Sequence, residues 1–465
     1  MRNTVRRAYV VYLLVIAFFT GMVFMTYSYA KHGKTWVTNR VNSHLYTNRQ
    51  LTTAGTVFDR NGEMLVTTKN SKRVYNSNQS VRKALLHCVG DTEGYISTGV
   101  QSVYRSYLIG YDFVNGVYNA VKSKSGNDIT LTVDANVCKT AYQALGSNKG
   151  AVGVYNYKTG EVICMVSTPT YDPENKPSAS ELETGSRYEG VYINRFLSGI
   201  FTPGSTFKTV TAVSALENLE NAENIKFKCD GTYKVGSDEI NCFSKNKHGK
   251  IKLKEAFNES CNGYFANLAI KIGADNLAQT AKKLGFNKSL TACGVKITAS
   301  RYNTSTKIAK SELGWSGVGQ FETLANPCHM LMIAGAIANG GDAVTPVLIK
   351  GTSNSTLFAS LETKTIGPQI KISAETALKM KKLMRSNVKD CYSDSRFPGL
   401  EMCGKTGSAE RKDAKPHGWF VGFSQRSDLP YAVVVVVENG GMASSVAIPI
   451  ASRVMTAVDK SVNGK

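Results

Sequence analysis

Ser205 and Lys208 form a residue pair whose types and spacing suit nucleophilic catalysis. They lie in the segment Thr202-Pro203-Gly204-Ser205-Thr206-Phe207-Lys208, at the start of a predicted helix over residues 207–219. Residues three apart share one helix face, so a lysine with a lowered pKa can take the serine proton there. A serine at a helix N-terminus also offers a backbone N–H for an oxyanion hole. The spacing alone is weak evidence, because Ser80-Val81-Arg82-Lys83 has it too.

Two later motifs complete the pattern of a serine acyl-enzyme. Ser260-Cys261-Asn262 opens a predicted helix over residues 261–272, and Lys405-Thr406-Gly407-Ser408 ends a predicted late strand. A second copy of the last motif, Lys158-Thr159-Gly160, precedes the serine and lies in a predicted hairpin turn. Ser205, Ser260 and Lys405 occur in the order and context that acyl-enzymes of the penicillin-recognising type require.

The N-terminus predicts a membrane anchor. Residues 8–30 contain no charged side chain, follow Arg2, Arg6 and Arg7, and are numerous enough to cross a bilayer as a helix. Ser28-Tyr29-Ala30 also resembles a cleavage site, which leaves a removed signal peptide as the alternative. The arginines predict a cytoplasmic N-terminus and an extracellular remainder, although basic residues just after the span weaken that bias.

Composition describes a folded and strongly basic protein. The chain has 465 residues, is 42% hydrophobic, and carries 56 Lys and Arg against 35 Asp and Glu, a formal charge of +21. These values exclude a disordered or collagen-like chain. A basic surface suits nucleic acid, anionic lipid or an anionic cell wall. An extracellular body leaves lipid and wall as partners and excludes nucleic acid.

The predicted elements divide the chain into three regions. Residues 1–30 are a short tail and anchor, 31–148 a β-rich module, and 149–465 a mixed α/β domain with strands at both ends and helices between them. The strands of that domain are expected over residues 151–155, 161–166, 401–405, 419–423 and 431–437. Its remaining helices are expected over residues 324–338, 374–383 and 447–458. The valine-rich run in 431–437 predicts a central strand that is covered on both faces.

On these motifs the chain resembles a class B penicillin-binding protein, a membrane-anchored peptidoglycan D,D-transpeptidase. The likeness extends to the segments Phe58-Asp59-Arg60-Asn61-Gly62, Ser167-Thr168-Pro169-Thr170-Tyr171-Asp172-Pro173, Gly317-Val318-Gly319-Gln320 and Trp419-Phe420-Val421-Gly422. It implies the penicillin-binding transpeptidase fold, an antiparallel sheet flanked by helices plus an all-helical subdomain. A small β-rich pedestal or dimerisation module and one transmembrane helix would precede that fold. The short first module resembles compact elongation or sporulation members, which pair with a polytopic SEDS-type glycan polymerase.

The resemblance also implies the reaction. Ser205 would attack the carbonyl of the penultimate D-Ala of a peptidoglycan stem peptide, with Lys208 as general base. Ser260 would relay the proton to the leaving D-Ala, and Asn262 would orient the substrate amide and Lys208. An amino group of a neighbouring stem would then take the acyl group. β-Lactams would inhibit by acylating the same serine, and this chemistry needs no cofactor.

The third motif would hold the substrate by its terminal carboxylate. Lys405 and the hydroxyls of Thr406 and Ser408 would contact that carboxylate, with Gly407 between them. The backbone N–H groups of Ser205 and Ser408 would form the oxyanion hole. Ser408 stands where many relatives have Thr, and either hydroxyl serves.

Four further residues have the types of a zinc site. Cys229, Cys242, His248 and Cys261 follow the pattern Cys-x12-Cys-x5-His-x12-Cys, between the serine and the end of the second motif. Three thiolates and one imidazole make a complete tetrahedral set. Some class B relatives hold structural zinc beside the second motif with ligands in corresponding places. A Cys229–Cys242 disulfide and buried free thiols are the alternatives.

Two other functions are compatible with the motifs. A D,D-carboxypeptidase or a β-lactamase would pass the acyl group to water, but Glu255 and Glu259, which lie near the second motif, are expected to support its helix. A non-catalytic cell-wall scaffold or β-lactam sensor would need no complete motif set. All three motifs are intact, which favours an enzyme.

Overall fold

The structure is a computed structural model and describes residues 2–38, 46–47, 50–51, 54–111, 126–352, 367–409 and 414–464. The helices of this part of the chain are α1 Arg2–Val37, α2 Gln79–Val89, α3 Val100–Val103, α4 Arg105–Leu108, α5 Ala135–Leu145, α6 Ala179–Thr184, α7 Lys208–Asn218, α8 Leu253–Asn258, α9 Asn262–Ile272, α10 Ala274–Lys283, α11 Lys310–Gly317, α12 Pro327–Ala338, α13 Ala374–Ser386 and α14 Ala443–Asn463. The strands are β1 Tyr46–Thr47, β2 Gln50–Leu51, β3 Val57–Phe58, β4 Met64–Lys69, β5 Lys72–Tyr75, β6 Ile129–Leu131, β7 Gly150–Asn156, β8 Val162–Thr168, β9 Phe227–Cys229, β10 Thr232–Val235, β11 Asp238–Asn241, β12 Gly249–Ile251, β13 Thr291–Ala292, β14 Val295–Lys296, β15 Ile349–Thr352, β16 Met402–Ala409, β17 His417–Ser424 and β18 Tyr431–Val437.

The N-terminal helix α1 contains the predicted anchor. Its segment Thr4–Gly33 spans 30 residues and contains an 18-residue stretch with a mean hydropathy of 2.3, which is long and apolar enough to cross a membrane. The large side chains of this stretch are exposed, including Leu13 at 69% and Val23 at 70%. Because the helix buries none of this apolar surface against the rest of the chain, a lipid environment suits it.

The largest sheet joins the two ends of the predicted α/β domain. Its strand order is β16-β17-β18-β7-β8, with every neighbouring pair antiparallel. Strand β18 lies inside this sheet, and all of its residues are buried. Valine is favoured in such a strand because its branched side chain packs well on a pleated surface. The prediction of a central, doubly covered strand is therefore confirmed.

Helices cover both faces of this sheet. Tyr155 of β7 faces α12, because a Cβ atom on Gly335 would lie 1.6 Å from the Tyr155 hydroxyl oxygen. Gly418 of β17 belongs to the other face and adjoins Val446 of α14, 2.6 Å from where its Cβ would be. The sheet is thus the middle layer between α12 and α14. Its edge strand β16 borders a cleft.

The helical subdomain lies between β8 and β16 in sequence. Helix α9 packs against α7, α10 and α11. Three two-stranded ribbons, β9 with β12, β10 with β11 and β13 with β14, accompany these helices. The subdomain carries the second motif at the start of α9 and so places it beside the serine.

The region before residue 149 contains more helix than the sequence predicted, and parts of it lie outside the described residues. The Asn78 and Asp134 side chains cap the N-termini of α2 and α5, and both helices end at a glycine with positive φ. These capping signals, together with one buried apolar face, are sufficient to form a helix. The sequence does not predict these two helices because the segment is polar overall.

The predicted boundary between residues 148 and 149 is crossed by packing. A second five-stranded sheet has the order β15-β6-β3-β4-β5, so β15 from the C-terminal half completes the N-terminal module. Helix α5 packs against α14 and β8. A buried ion pair, in which Arg82 Nε lies 2.7 Å from Asp172 Oδ1, joins α2 to the segment after β8. The domain limits stay a prediction.

Candidate active site

Ser205 lies in a tight turn before α7. Residues Gly204–Phe207 form a single 3-10 turn, and the helix continues from Lys208. Gly204 has a φ of +53°, which a side chain rarely adopts, and its N–H donates to the Gly319 carbonyl oxygen at 3.0 Å. Gly319 packs so closely that a Cβ atom there would lie 2.1 Å from the Gly204 oxygen. The Gly317-Val318-Gly319-Gln320 segment therefore supports the turn that presents the serine.

The Lys208 side chain is fully buried and points to the second motif. Its Nζ donates to the Ser260 carbonyl oxygen at 2.5 Å and to Asn262 Oδ1 at 2.7 Å. It also lies 3.2 Å from the Ser260 hydroxyl oxygen. In the described part of the chain these bonds hold the amine, and none joins it to Ser205. The structure therefore brings Lys208, Ser260 and Asn262 together as predicted, with the serine one turn away.

Ser260 occupies the sharp bend between α8 and α9. Its φ is +51°, an unusual backbone conformation for a residue with a side chain, and such conformations cluster at functional sites. Cys261 is the N-cap of α9, and its thiol sulfur accepts the Tyr264 N–H at 3.4 Å. Because of this bend, the Ser260 side chain faces the lysines while Cys261 faces away from them.

Lys405 approaches the same serine from the sheet. Its Nζ lies 3.0 Å from the Ser260 hydroxyl oxygen, and the side chain is fully buried. Strand β16 runs through the whole third motif to Ala409, whereas the sequence placed the motif at a strand end. A Cβ atom on Gly407 would lie 2.5 Å from the Pro203 carbonyl oxygen. Glycine at this position therefore lets the strand pass directly beside the serine turn.

Burial controls the charge of both lysines. It holds the pKa of Lys208 well below its usual value, and the nearby charge of Lys405 lowers it further. Burial also lowers the pKa of Lys405, to about 7. The rings of Phe265 and Phe257 lie 5.6 and 5.7 Å from the two ammonium nitrogens and offset part of the desolvation. Lys208 therefore gives up its proton more readily than an exposed lysine does, which suits a general base.

The site opens into one cleft of about 500 Å³. Ser205, Ser260, Asn262, Thr406 and Ser408 all line it. The other lining residues are Asn241, Cys242, Phe243, Ser244, Lys245, Asn246, His248, Glu259, Trp315, Val318, Gln320 and Met442. No local pattern marks most of these wall residues, since they come from four separate segments of the chain, residues 241–248, 259, 315–320 and 442. Glu255 caps α8, the helix before the second motif, by accepting the Lys252 N–H at 3.0 Å, and not the helix α9 that the motif opens.

The four predicted zinc ligands converge at one wall of this cleft, which Cys242 and His248 line. The ligand atoms of Cys229, Cys242, His248 and Cys261 all lie within 4.8 Å of one another. The Cys242 sulfur is 3.7 Å from the sulfurs of both Cys229 and Cys261, and Cys229 Sγ is 3.2 Å from His248 Nδ1. All three cysteines are buried and free. The alternative of a Cys229–Cys242 disulfide, which requires sulfurs about 2.05 Å apart, is therefore not formed in this structure.

Local folding explains how residues so far apart in sequence meet here. Strands β9 and β12 pair Cys229 with Gly249, which brings His248 beside Cys229. The β10–β11 ribbon ends one residue before Cys242, whose N–H donates to the Gly231 carbonyl oxygen at 2.9 Å. Asn262 Nδ2 donates to the Asn241 carbonyl oxygen at 2.8 Å. The cluster and the second motif are therefore parts of one connected structure.

Ser205 shares a cleft with Ser260, which contacts two buried lysines, and the cleft lies between an antiparallel sheet and a helical subdomain. This arrangement is that of a serine acyltransferase. Residues 150–456 match the family described as the penicillin binding protein transpeptidase domain. The chain therefore belongs to the penicillin-binding protein transpeptidase family, and its relatives confirm the class B assignment that the sequence predicted.

Three similar proteins illustrate this membership. The peptidoglycan D,D-transpeptidase PbpA of Mycolicibacterium smegmatis is 26% identical over 378 residues, covering 75% of this chain and 76% of that protein. PbpA of Mycobacterium tuberculosis is 28% identical over 351 residues, covering 71% and 70%. The solved D,D-transpeptidase domain of the peptidoglycan glycosyltransferase from Eggerthella lenta superposes with a TM-score of 0.75 at 25% identity, over 88% of this chain and 98% of that one.

Proposed function

We propose that this penicillin-binding protein cross-links peptidoglycan by D,D-transpeptidation through an acyl-enzyme on Ser205. The observation that carries the proposal is that Ser205 and Ser260 line one cleft, and that the Ser260 hydroxyl contacts two buried lysines, Lys208 and Lys405. The relatives that are named peptidoglycan D,D-transpeptidases support the same reaction.

In the proposed acylation step, Ser205 is the nucleophile and Lys208 is the general base. The Ser205 oxygen attacks the carbonyl carbon of the penultimate D-Ala of a stem peptide, and the Lys208 amine takes the hydroxyl proton. The N–H groups of Ser205 and Ser408 stabilise the resulting oxyanion. The peptide bond then breaks, and the departing D-Ala nitrogen receives a proton from Lys208 through the Ser260 hydroxyl, which lies 3.2 Å from Lys208 Nζ.

Deacylation needs an amine from a second stem peptide. That amine attacks the ester carbon, loses one proton, and the Ser205 oxygen leaves and recovers a proton. A D,D-carboxypeptidase would use water at this step, and it is the second candidate because the cleft is open. Among the described residues that line the cleft, Glu259 is the one glutamate that could activate water, and it is exposed to solvent.

The third motif supplies the substrate carboxylate site. Thr406 and Ser408 are partly exposed to the cleft, on the same edge of β16, with Gly407 between them. Lys405 adds a positive charge within reach of both Ser260 and the Thr406 backbone. Hydroxyl groups and one ammonium suit a carboxylate because each can donate a hydrogen bond to it.

Labelling with a fluorescent penicillin tests the nucleophile. The wild-type protein is expected to form a stable adduct, which mass spectrometry of peptides locates on Ser205, whereas Ser205→Ala gives none. Ser80→Ala, which alters the other Ser-x-x-Lys sequence, is the matched control and keeps full labelling. Labelling that persists in Ser205→Ala contradicts the proposal. Formation of cross-linked dimers from purified stem peptides separates transpeptidation from hydrolysis.

We also propose that Cys229, Cys242, His248 and Cys261 hold a structural zinc ion. The buried thiols suit the metal, since sulfurs bound to one tetrahedral zinc are about 3.8 Å apart and the two adjacent pairs here are 3.7 Å apart. Four protein ligands leave no position for water, so zinc would supply stability and no catalytic step. Its effect on catalysis would pass through Cys261 to Ser260 and Asn262.

For the cell, we propose a single-pass membrane protein with a cytoplasmic N-terminus and an extracellular catalytic domain. The apolar length of α1 and the three arginines in its first two turns, ahead of the apolar stretch, support this orientation. A polytopic SEDS-type glycan polymerase is the proposed partner at the membrane. External protease on wall-free cells tests the topology: cleavage after residue 38 supports it, and complete protection contradicts it. Loss of co-purified polymerase on replacing α1 by an unrelated span tests the partner.

A further inference from the structure

Among the described residues, strand β16 has one edge that no other strand covers. It is the terminal strand of the β16-β17-β18-β7-β8 sheet. Alternate residues of a strand turn their backbone N–H and C=O groups toward the same edge. On β16, the residues whose backbone groups point to the uncovered edge are Met402, Gly404, Thr406 and Ser408. The first three identify this set, because their backbone atoms bond to side chains outside the sheet. An uncovered edge can bind an extended peptide as an additional strand.

Side chains from the end of α13 and the turn after it close most of this edge. Arg385 Nη1 donates to the Met402 carbonyl oxygen at 3.0 Å, and Asn387 Nδ2 donates to the Gly404 carbonyl oxygen at 2.7 Å. The turn is a π-helix over Asn387–Tyr392, a wide form of helix that is frequent at functional sites. The Thr406 N–H donates to the Tyr392 phenol oxygen at 3.1 Å.

Tyr392 also contacts the side chain of Thr406. The two hydroxyl oxygens are 2.7 Å apart, and either can be the donor. Burial raises the pKa of the Tyr392 phenol, so the phenol keeps its proton at neutral pH. When the phenol donates that proton to Thr406 Oγ1, the Thr406 hydroxyl hydrogen is left to point elsewhere. Thr406 lines the cleft, so its hydrogen is then available to a bound substrate.

We propose that Tyr392 is a positioning residue for substrate binding, which turns the Thr406 hydroxyl hydrogen toward the terminal carboxylate of the donor stem peptide. The inference rests on the proposed function, because it requires a carboxylate beside the third motif. By covering the edge as far as Thr406, Tyr392 also makes Ser408 the first residue of β16 with which an extended stem can pair. It thus sets both the direction of one hydrogen bond and the register of the substrate.

Two thioester substrates test this role, one with a carboxylate on the leaving group and one with a carboxamide there. Tyr392→Phe is expected to raise KM for the carboxylate substrate about tenfold, the usual effect of losing one hydrogen bond to a charged group, with kcat changed less than about twofold. KM for the carboxamide substrate stays within about twofold of wild type. Thr406→Val should lose the same preference for the carboxylate substrate over the carboxamide substrate. The double variant with Tyr392→Phe should have the same two KM values as Thr406→Val alone.

The control is Tyr157→Phe, which removes a different buried phenol hydrogen bond, 3.1 Å from the Ser424 carbonyl oxygen at the far end of the sheet. It should leave the ratio of the two KM values unchanged. Equal losses on both substrates, or additive effects of the Tyr392 and Thr406 changes, would overturn the positioning role. A wild-type protein without a penicillin adduct on Ser205 would instead overturn the proposed function, so the two failures are distinguishable.

Discussion

The Lys405 ammonium nitrogen lies 3.0 Å from the Ser260 hydroxyl oxygen, and the same oxygen lies 3.2 Å from Lys208 Nζ. One hydroxyl group therefore connects two fully buried lysines that come from the sheet and from the helical subdomain. Two like charges at such a site lower each other's proton affinity, and a hydroxyl between them can pass a proton. The relationship explains how Lys208 can serve as a base and then return its proton to the leaving group.

Removing this shared hydroxyl should slow acylation and leave the nucleophile intact. Ser260→Ala is expected to reduce the second-order rate of penicillin acylation about 10²–10³-fold, because it removes the proton relay. The adduct should still form on Ser205. Ser214→Ala is a matched control. It removes a buried hydroxyl group on α7 that bonds to Thr280 and contacts neither lysine. Acylation of Ser260→Ala at the wild-type rate would exclude the relay.

Acylation should depend on pH in two opposing ways. It should rise with pH as Lys208 loses its proton, well below the usual pKa of lysine, because burial and Lys405 lower that pKa. It should fall above a pH of about 7 in the free enzyme, as Lys405 becomes neutral and attracts the substrate carboxylate less. The profile of kcat/KM against pH with a carboxylate substrate measures both limbs. In Lys405→Arg, which stays charged, the falling limb should move up by at least about one pH unit, and an unmoved limb would refute its assignment.

A metal in the Cys229, Cys242, His248 and Cys261 cluster should couple stability to catalysis. Chelation is expected to lower the melting temperature and slow acylation together, because the metal would close a long loop and hold Cys261. Cys242→Ala and His248→Ala should have the same two effects. Cys293→Ala removes a buried thiol outside the cluster and should not alter metal content. Less than about 0.1 zinc per chain in purified, tag-free protein would contradict the zinc proposal.

The close approach of β16 to the serine turn should make Gly407 intolerant of a side chain. A Cβ atom there would lie 2.5 Å from the Pro203 carbonyl oxygen and 3.0 Å from the Thr206 nitrogen. Gly407→Ala is expected to lower the free energy of unfolding by about 1–3 kcal/mol and to slow acylation, since the strand must move away from Ser205. Gly351→Ala in β15, where a Cβ would meet no atom within 4 Å, should do neither. Denaturant unfolding and labelling kinetics measure the two effects, and a Gly407→Ala variant that matches Gly351→Ala in both would refute this account.

Local patterns in the sequence were sufficient to predict the protein family, the reaction class and the main strands. Ser205, Ser260 and Lys405 were recognisable because each stands at a predicted element end with its partner residues at fixed spacing. The buried run of β18 and the apolar span of α1 were visible for the same reason, since burial and membrane insertion both require continuous apolar residues. The four thiol and imidazole side chains that converge in the cluster were recognisable as a possible metal site by residue type alone.

Only the tertiary structure decided which of these groups touch. Lys208 bonds to Ser260 and Asn262, which are more than 50 positions away along the chain, because α7 and α9 pack together. Tyr392 reaches Thr406 because a π-helix follows α13, and no residue pattern marked that turn. Strand β15 likewise completes a sheet whose other strands precede residue 132. Contacts of this kind depend on how distant segments pack against one another, and neither the spacing nor the composition of either segment records its partner.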